Sequence, residues 1–311
     1  MSEIIAVGLS PTLQKTIVFN ELRIDSVNRS QGYRIDASGK SVNASRVLHQ
    51  LEKNVVKNIC PLGEDNASFF LELAAREELA VEAVYTAGRV RSCYTLVEPE
   101  FGRATELVVG EPSAAVDYAR VSETLLEKII VSLDTAKALL IAGSKPFFWP
   151  ENLYADICKK ATSMNVVTMV DFHGADLLKT LAVCTPDIIK INEQEFCETF
   201  SISFPLEEKG LIEQMIQQSK KIKSLFVITR GSKDTFASLD GAFYRSPVKR
   251  IKALNAIGCG DSFNAGFLYE YLFSRSIEAA LEKGNWCALQ NASSLRPGSI
   301  LDPNEEGEQL W

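Results

Sequence analysis

Histidine is almost missing from this sequence: His49 and His173 are the only two in 311 residues. That scarcity excludes most His-based metal sites and weakens any Ser-His-Asp reading. Cysteine is present but shows no paired pattern. Cys60, Cys93, Cys158, Cys184, Cys197, Cys259 and Cys287 are odd in number and lack C-x-x-C spacing, which points to free thiols in a reducing compartment. No run of about 18 apolar residues occurs, so no membrane span is expected. The start, Met1-Ser2-Glu3-Ile4, has no basic segment and no cleavage site. No secretory signal is therefore expected, and the cytoplasm is the expected location. Long basic blocks are also lacking. Lys and Arg total 33 against 40 Asp and Glu, a net charge of -7. That balance argues against nucleic acid as a partner and leaves room only for a local basic pocket around a small anion.

What is present is ordinary in amount: 46% hydrophobic and 23% charged residues. A chain this long buries roughly three quarters of its surface on folding, enough for one large core or one core plus a small appendage. Short apolar runs alternate with helical patterns. Ile4–Gly8, Val55–Cys60, Lys137–Ala142, Val166–Val170, Asp187–Ile191 and Ser224–Thr229 read as buried strands. Ser41–Leu51, Asn152–Thr162, Ala175–Val183 and Glu207–Lys220 read as helices, and Asp65 as the cap of another running through Phe69, Leu73 and Leu79. This alternation predicts a parallel sheet covered on both faces. Thr16–Ile35 and Ser92–Val109 break the rhythm with extended, partly alternating patterns. They are either a small β appendage lying across one edge as a lid or ordinary loops and edge strands. Cys259–Phe273 and Ile277–Ser294 read as two long helices, and the polar stretch from Asp302 to Trp311 as a frayed end. There are no internal repeats.

The segment richest in chemistry is Gly258-Cys259-Gly260-Asp261-Ser262-Phe263-Asn264-Ala265-Gly266. Glycines at a helix start let an anion approach outward-pointing backbone N–H groups. An aspartate there repels a phosphate, but it suits a general base for an acceptor hydroxyl beside a stabilised phosphoryl group. The alternative is a plain helix start with its acid in the favourable first turn. A second candidate, Gly39-Lys40-Ser41, ends like a Walker A loop. That loop needs glycine where Arg34 stands, so a P-loop is not expected.

Gly258-Cys259-Gly260-Asp261 closely resembles the Gly-Ala-Gly-Asp signature of the ribokinase-like, phosphofructokinase-B type carbohydrate kinases. The resemblance implies that Asp261 deprotonates the sugar hydroxyl and that the amides of Gly258, Cys259 and Gly260 form an anion hole. Cys259 stands for the usual alanine, and a free thiol at a helix start could be unusually reactive. Four more segments follow in the family's order. Lys190-Ile191-Asn192-Glu193-Gln194-Glu195 resembles Lys-Pro-Asn-x-x-Glu, implying Lys190 near the nucleotide phosphates and Asn192 and Glu195 around Mg2+, mostly through water. Thr229-Arg230-Gly231 resembles the turn near the nucleotide, with Asp234 at a usual glycine. Gly143-Ser144-Lys145-Pro146 resembles the Gly-Ser-x-Pro turn above the substrate, implying a contact from Ser144. Ser38-Gly39-Lys40-Ser41-Val42-Asn43-Ala44-Ser45-Arg46 resembles Gly-Gly-Lys-Gly-x-Asn-x-Ala-Arg, implying sugar contacts from Gly39, Lys40 and Asn43. Ser38 and Ser41 replace glycines, which calls for a serine-compatible turn or an altered pocket.

Two further positions concern the sugar. Gln14 stands where the family's aspartate grips sugar hydroxyls, and an amide can donate as well as accept. Arg91 resembles the arginine that holds the phosphate of phosphorylated sugars. Thr105-Glu106-Leu107-Val108 with Pro112 resembles the lid strand returning from it. His49 reads as helix packing, and His173 is left without a role.

The resemblance spans nearly the whole chain. It implies one ribokinase-like domain over 1–311: an α/β fold, a three-layer α/β/α sandwich with a mostly parallel central sheet and a small β-sheet lid from about 12–36 and 89–112. It implies ATP-dependent phosphorylation of a sugar or sugar phosphate with Mg2+, closest in pattern to the 1-phosphofructokinase/tagatose-6-phosphate kinase branch, and it allows a homodimer through the lid. A nucleoside or unphosphorylated-sugar kinase, or a catalytically weak sugar-binding regulator on the same fold, are the alternatives.

Overall fold

The structure, a computed structural model, describes residues 3–110 and 116–301. Its first strand shows how the layers arise. In β1 (Ile4–Val7) every residue is buried, and successive side chains point to opposite faces. Ile4 and Ala6 join one apolar cluster with Val47, Leu48, Phe267 and Leu281; Ile5 and Val7 join another with Leu125, Ile157, Phe196 and Met215. A strand buried on both sides needs helices on both sides.

The chain continues through β2 (Thr12–Val18), β3 (Gly32–Ser38), α1 (Lys40–Leu51), β4 (Val56–Gly63), α2 (Ala67–Arg76), β5 (Val81–Thr86), β6 (Arg91–Glu98) and β7 (Arg103–Val108). Then come α3 (Tyr118–Leu133), β8 (Ala138–Ala142), α4 (Leu153–Ser163), β9 (Val167–Asp171), α5 (Gly174–Val183), β10 (Ile188–Asn192), α6 (Glu193–Thr199) and α7 (Glu208–Ile222). The rest is β11 (Leu225–Arg230), β12 (Lys233–Leu239), β13 (Ala242–Ser246), α8 (Cys259–Ser274) and α9 (Ile277–Ala292). The large sheet runs β13-β12-β11-β10-β9-β8-β1-β4-β5, parallel from β11 to β5 and antiparallel at β12 and β13. Helices α1, α8 and α9 cover one face; α3 to α7 cover the other. This is the mixed, mostly parallel three-layer sandwich expected. Strand order reverses at β1, which lies between β4 and β8; ligands of open α/β sheets bind beyond the strand ends at such a point.

The smaller sheet runs β3-β2-β6-β7. Both irregular stretches therefore contribute strands to one separate sheet. Gly32–Ser38, which includes Arg34 and leads into Gly39-Lys40-Ser41, is a strand of this sheet. The expected return through Pro112, the start at Met1-Ser2 and the stretch 302–311 lie outside the described residues.

Some local expectations need correction. Asp65 does not cap α2. The cap position is Asn66, whose side chain instead pairs with the backbone N–H and C=O of Val90 at 2.7 and 3.1 Å, tying the helix start to the β5–β6 connection. Leu79 lies beyond that helix, which ends at Arg76. Helix α3 and strands β5, β12 and β13 add to the elements expected from the sequence. The β12–β13 hairpin turns at Asp240-Gly241, both at positive φ (47° and 86°), as a tight two-residue turn of right-handed strands requires.

Candidate active site

A cleft of about 420 Å³ opens where β1, β8, β9 and β10 end, and residues of the smaller sheet line its other wall. Gly8, directly after β1, keeps this point open. A Cβ there would lie 2.3 Å from Ser41 Oγ and 3.0 Å from the Ala142 carbonyl oxygen. The hydroxyl of Ser41, at a position where the resemblance has glycine, thus fills space that the missing side chain of Gly8 leaves.

Asp171 ends β9 and is 1% exposed. Asn264 Nδ2 of α8 donates to its Oδ2 at 2.6 Å, Lys190 Nζ lies 3.4 Å from the same oxygen, and Lys40 Nζ lies 3.6 Å from Oδ1. Burial pushes this carboxyl up, but the charges of Lys190 and Lys40 and the Asn264 bond outweigh it, leaving it down at about 2. Asp171 is thus a permanent anion that gathers two ammonium groups at the cleft floor. In return its charge raises Lys40 above the usual lysine value.

Asp261 behaves oppositely. It lies in the first turn of α8, is 6% exposed, and accepts from Asn43 Nδ2 at 2.8 Å. Burial dominates and lifts it to about 6, against the pull of Lys40, Asn43 and Lys190. Two aspartates on facing elements are therefore pushed in opposite directions, one held as an anion and one able to exchange a proton near neutrality.

The N-terminus of α8 is built around Gly258, at φ 84°. A Cβ there would meet the backbone N of Gly298 at 2.5 Å. Asn291 of α9 staples this turn: its Nδ2 donates to the Ile257 carbonyl at 2.9 Å, and its Oδ1 accepts from the N–H of Gly298 and Ser299. The first amides of a helix have no intrahelical partner. The Cys259 N–H donates to the Ala256 carbonyl at 3.3 Å, a long bond. Lys190 overhangs the turn, since a Cβ on Gly260 would sit 3.2 Å from its Nζ. The idea of a reactive Cys259 fails: burial pushes its thiol up to about 11, so the thiolate is scarce at neutral pH.

Asn192 and Glu195 start α6 as a capping box. Asn192 Oδ1 accepts from the Glu195 N–H and Glu195 Oε2 accepts from the Asn192 N–H, both at 2.8 Å. Glu195 Oε1 faces His173 Nε2 at 3.9 Å. His49 packs within α1, accepting from the Asn54 N–H.

From the smaller sheet, Gln14 Nε2 donates to the buried Thr95 Oγ1 at 2.9 Å, leaving Oε1 as the end not held by that bond. Arg91 is half-buried and donates to the Val109 carbonyl at 3.3 Å. Glu106 lines the same wall; burial raises its carboxyl and the charge of Arg91 lowers it, with a net rise.

The cleft brings together Gln14, Gly39, Lys40, Asn43, Arg91, Ser144, Lys190, Asn192, Glu195, Thr229, Gly258, Gly260 and Asp261. Cys259 and Gly231 line a second cavity of about 360 Å³, which shares Thr229, Ala256 and Gly260 with the first. Its walls are mostly apolar: Val248, Ile251, Ala253, Phe263, Ala288, Leu289 and Ala292. Asp171, Asn264, Glu106 and this apolar wall escaped the sequence reading. Asp171 had one signal, an acid at the predicted end of a buried strand.

The model of the pfkB family carbohydrate kinases matches residues 3–303. A tagatose-6-phosphate kinase of Staphylococcus epidermidis is 24% identical over 298 residues, covering 96% of this chain and 94% of that protein. Phosphofructokinase-2 from Escherichia coli in complex with substrates and products superposes with a TM-score of 0.86 at 17% identity, covering 98% of this chain and 97% of the other. A possible 1-phosphofructokinase from Thermotoga maritima gives 0.78 at 16% identity over 96% and 92%.

Proposed function

Because this chain belongs to the pfkB family of carbohydrate kinases, we propose that it transfers the γ-phosphoryl group of ATP to a hydroxyl of a sugar phosphate of the fructose-1-phosphate or tagatose-6-phosphate type. The observation that carries this reading is one cleft holding a buried, proton-exchanging Asp261, two lysines gathered by Asp171, and Arg91 on the opposite wall.

Asp261 takes the proton of the acceptor hydroxyl as the oxygen attacks. The amides of Gly258, Cys259 and Gly260 with Lys190 offset the charge spread over the phosphoryl oxygens. Phosphoryl transfer passes through a loose transition state, so this positioning and electrostatic support outweighs the base. The bond from Cys259 to Ala256 is long enough to yield to a phosphoryl oxygen. The apolar second cavity, lined also by Thr229 and Gly231, suits a nucleotide base. Gln14, Gly39, Asn43 and Ser144 face the sugar, and the smaller sheet acts as its lid. Exposed Leu107, which alternates along β7 with the cleft-lining Glu106 and Val108, favours a homodimer through the outer face of that sheet.

The donor set fits Mg2+ held largely through water. Glu195 keeps Oε1 outside the capping box, and Mg2+ retains several waters beside few carboxylates. When bound, the ion neutralises phosphate charge; Asn192 and Glu195 would orient its waters. No helix of the described residues is long and apolar enough to cross a membrane.

Glu106 favours a second reading, an unphosphorylated sugar, because its carboxyl offsets Arg91. An ATP-consumption assay over free and monophosphorylated sugars separates the two. Turnover with a ketohexose monophosphate is expected; turnover with unphosphorylated sugars alone would reverse the order. Arg91→Ala is expected to raise KM for the phosphorylated sugar about 10- to 100-fold at near-constant kcat, the loss of charge-assisted hydrogen bonds worth about 1.5–3 kcal/mol. An unchanged KM would remove Arg91 from the phosphate site.

A further inference from the structure

Asn43 can present only one end of its amide to Asp261. Its Oδ1 accepts from the Ser38 hydroxyl at 2.8 Å and from Arg46 Nη1 at 3.2 Å, while its Nδ2 donates to Asp261 Oδ2 at 2.8 Å. A guanidinium has donors only, so Arg46 excludes the flipped amide, and an amide oxygen accepts only, so Ser38 must donate. Arg46 is itself immobile: it is 1% exposed, pairs with Glu77, and donates to the carbonyls of Ala37 and Pro297. Ser38 closes β3, at 2% exposure, where the resembling pattern has glycine and hence no hydroxyl.

We propose that Ser38 is a positioning residue: its hydroxyl, acting with Arg46, locks Asn43 so that an N–H always points at Asp261. This inference rests on the reading of Asp261 as the base. The groups facing Asp261 are Lys40 and Asn43 of α1, Asp171 of β9, Lys190 of β10 and Cys259 of its own helix. Of these, Asn43 is the one bonded to the Ser38 hydroxyl. A hydrogen bond to the ionised carboxylate favours that form. Loosening Asn43 therefore moves Asp261 upward, and a lysine-dominated site would not register the change.

The test follows the Asp261 carboxyl by 13C NMR without substrates, its resonance identified by loss in Asp261→Asn, and the acid limb of kcat in parallel. In Ser38→Ala and Ser38→Gly both midpoints are expected to rise by roughly 0.5–1 pH unit, since one of two donors fixing the amide is gone. Ser38→Thr, which keeps the hydroxyl, is expected to restore them, with KM for ATP unchanged throughout. Should Ser38→Ala fold poorly, Ser38→Gly carries the same comparison. An Asp261 midpoint that stays put in a folded variant overturns the proposal. A midpoint that shifts while kcat lacks any acid limb upholds the Ser38–Asn43–Asp261 link and instead removes Asp261 as the base.

Discussion

The Asp261→Asn enzyme is expected to bind ATP normally and to turn over about 10²- to 10⁴-fold more slowly, the usual contribution of a positioned general base. The replacement keeps the shape of the side chain, and its amide oxygen can still accept from Asn43 Nδ2. What disappears is the group that receives the proton. Residual turnover is expected because the amides of the first turn and Lys190 remain. The wild-type profile supplies a second readout. A base lifted to about 6 is ionised above that pH and protonated below it. kcat should therefore be level through neutrality and fall about tenfold per pH unit below the midpoint. In Asp261→Asn this limb should vanish. Calorimetric titration with ATP and a kcat series from pH 5 upward check both. Undiminished turnover would sink the assignment of the base.

Gly258→Ala is expected to damage stability and activity together. A residue with a Cβ at φ 84° carries about 1–3 kcal/mol of strain. The added carbon also meets backbone atoms, Gly298 N at 2.5 Å and Pro297 C at 3.1 Å, with Asn291 Oδ1 at 3.0 Å. Backbone cannot step aside as a flexible side chain can, which adds about 1–3 kcal/mol of overpacking. At about 2–4 °C per kcal/mol for domains of somewhat smaller size, the melting temperature should drop by roughly 4–24 °C. Activity should fall by a further factor of about 10² among the molecules that stay folded, because a shift near 1 Å at a charge-stabilising site costs that much. Gly231→Ala is the control. Its φ is 63°, but a Cβ there finds nothing within 4 Å, so strain alone remains and the melting temperature should move far less. Equal effects at the two positions would contradict the crowding argument.

These two glycines illustrate what the sequence made legible. Gly258-Cys259-Gly260-Asp261 could be read because its chemistry is local: a turn, helix amides and an acid within four consecutive residues. The buried strands were readable for a similar reason, since β1 and β8 are continuous apolar runs. Asp171 was not readable as an organiser. Its meaning depends on β9 lying between β8 and β10 and on Lys40 and Lys190 converging from distant segments. The hairpin of β12 and β13 carries a local turn signal at Asp240-Gly241, but its attachment to β11 is a matter of sheet order. Helix α3 has helical spacing at Leu125, Ile129 and Leu133, all buried. Ser38 and Ser41 looked like losses against a glycine pattern. In the folded protein one hydroxyl holds Asn43, and the other occupies the space over Gly8.

The segment around Pro297 and Gly298 ties distant parts of this architecture together. Arg46 donates to the Pro297 carbonyl across 251 positions of chain, and Asn291 grips the N–H of Gly298 while holding the turn before α8. Asn43 and the turn before Asp261 are thus both held from one short stretch after α9, so the cleft takes its shape only when segments from opposite ends of the described fold are joined there.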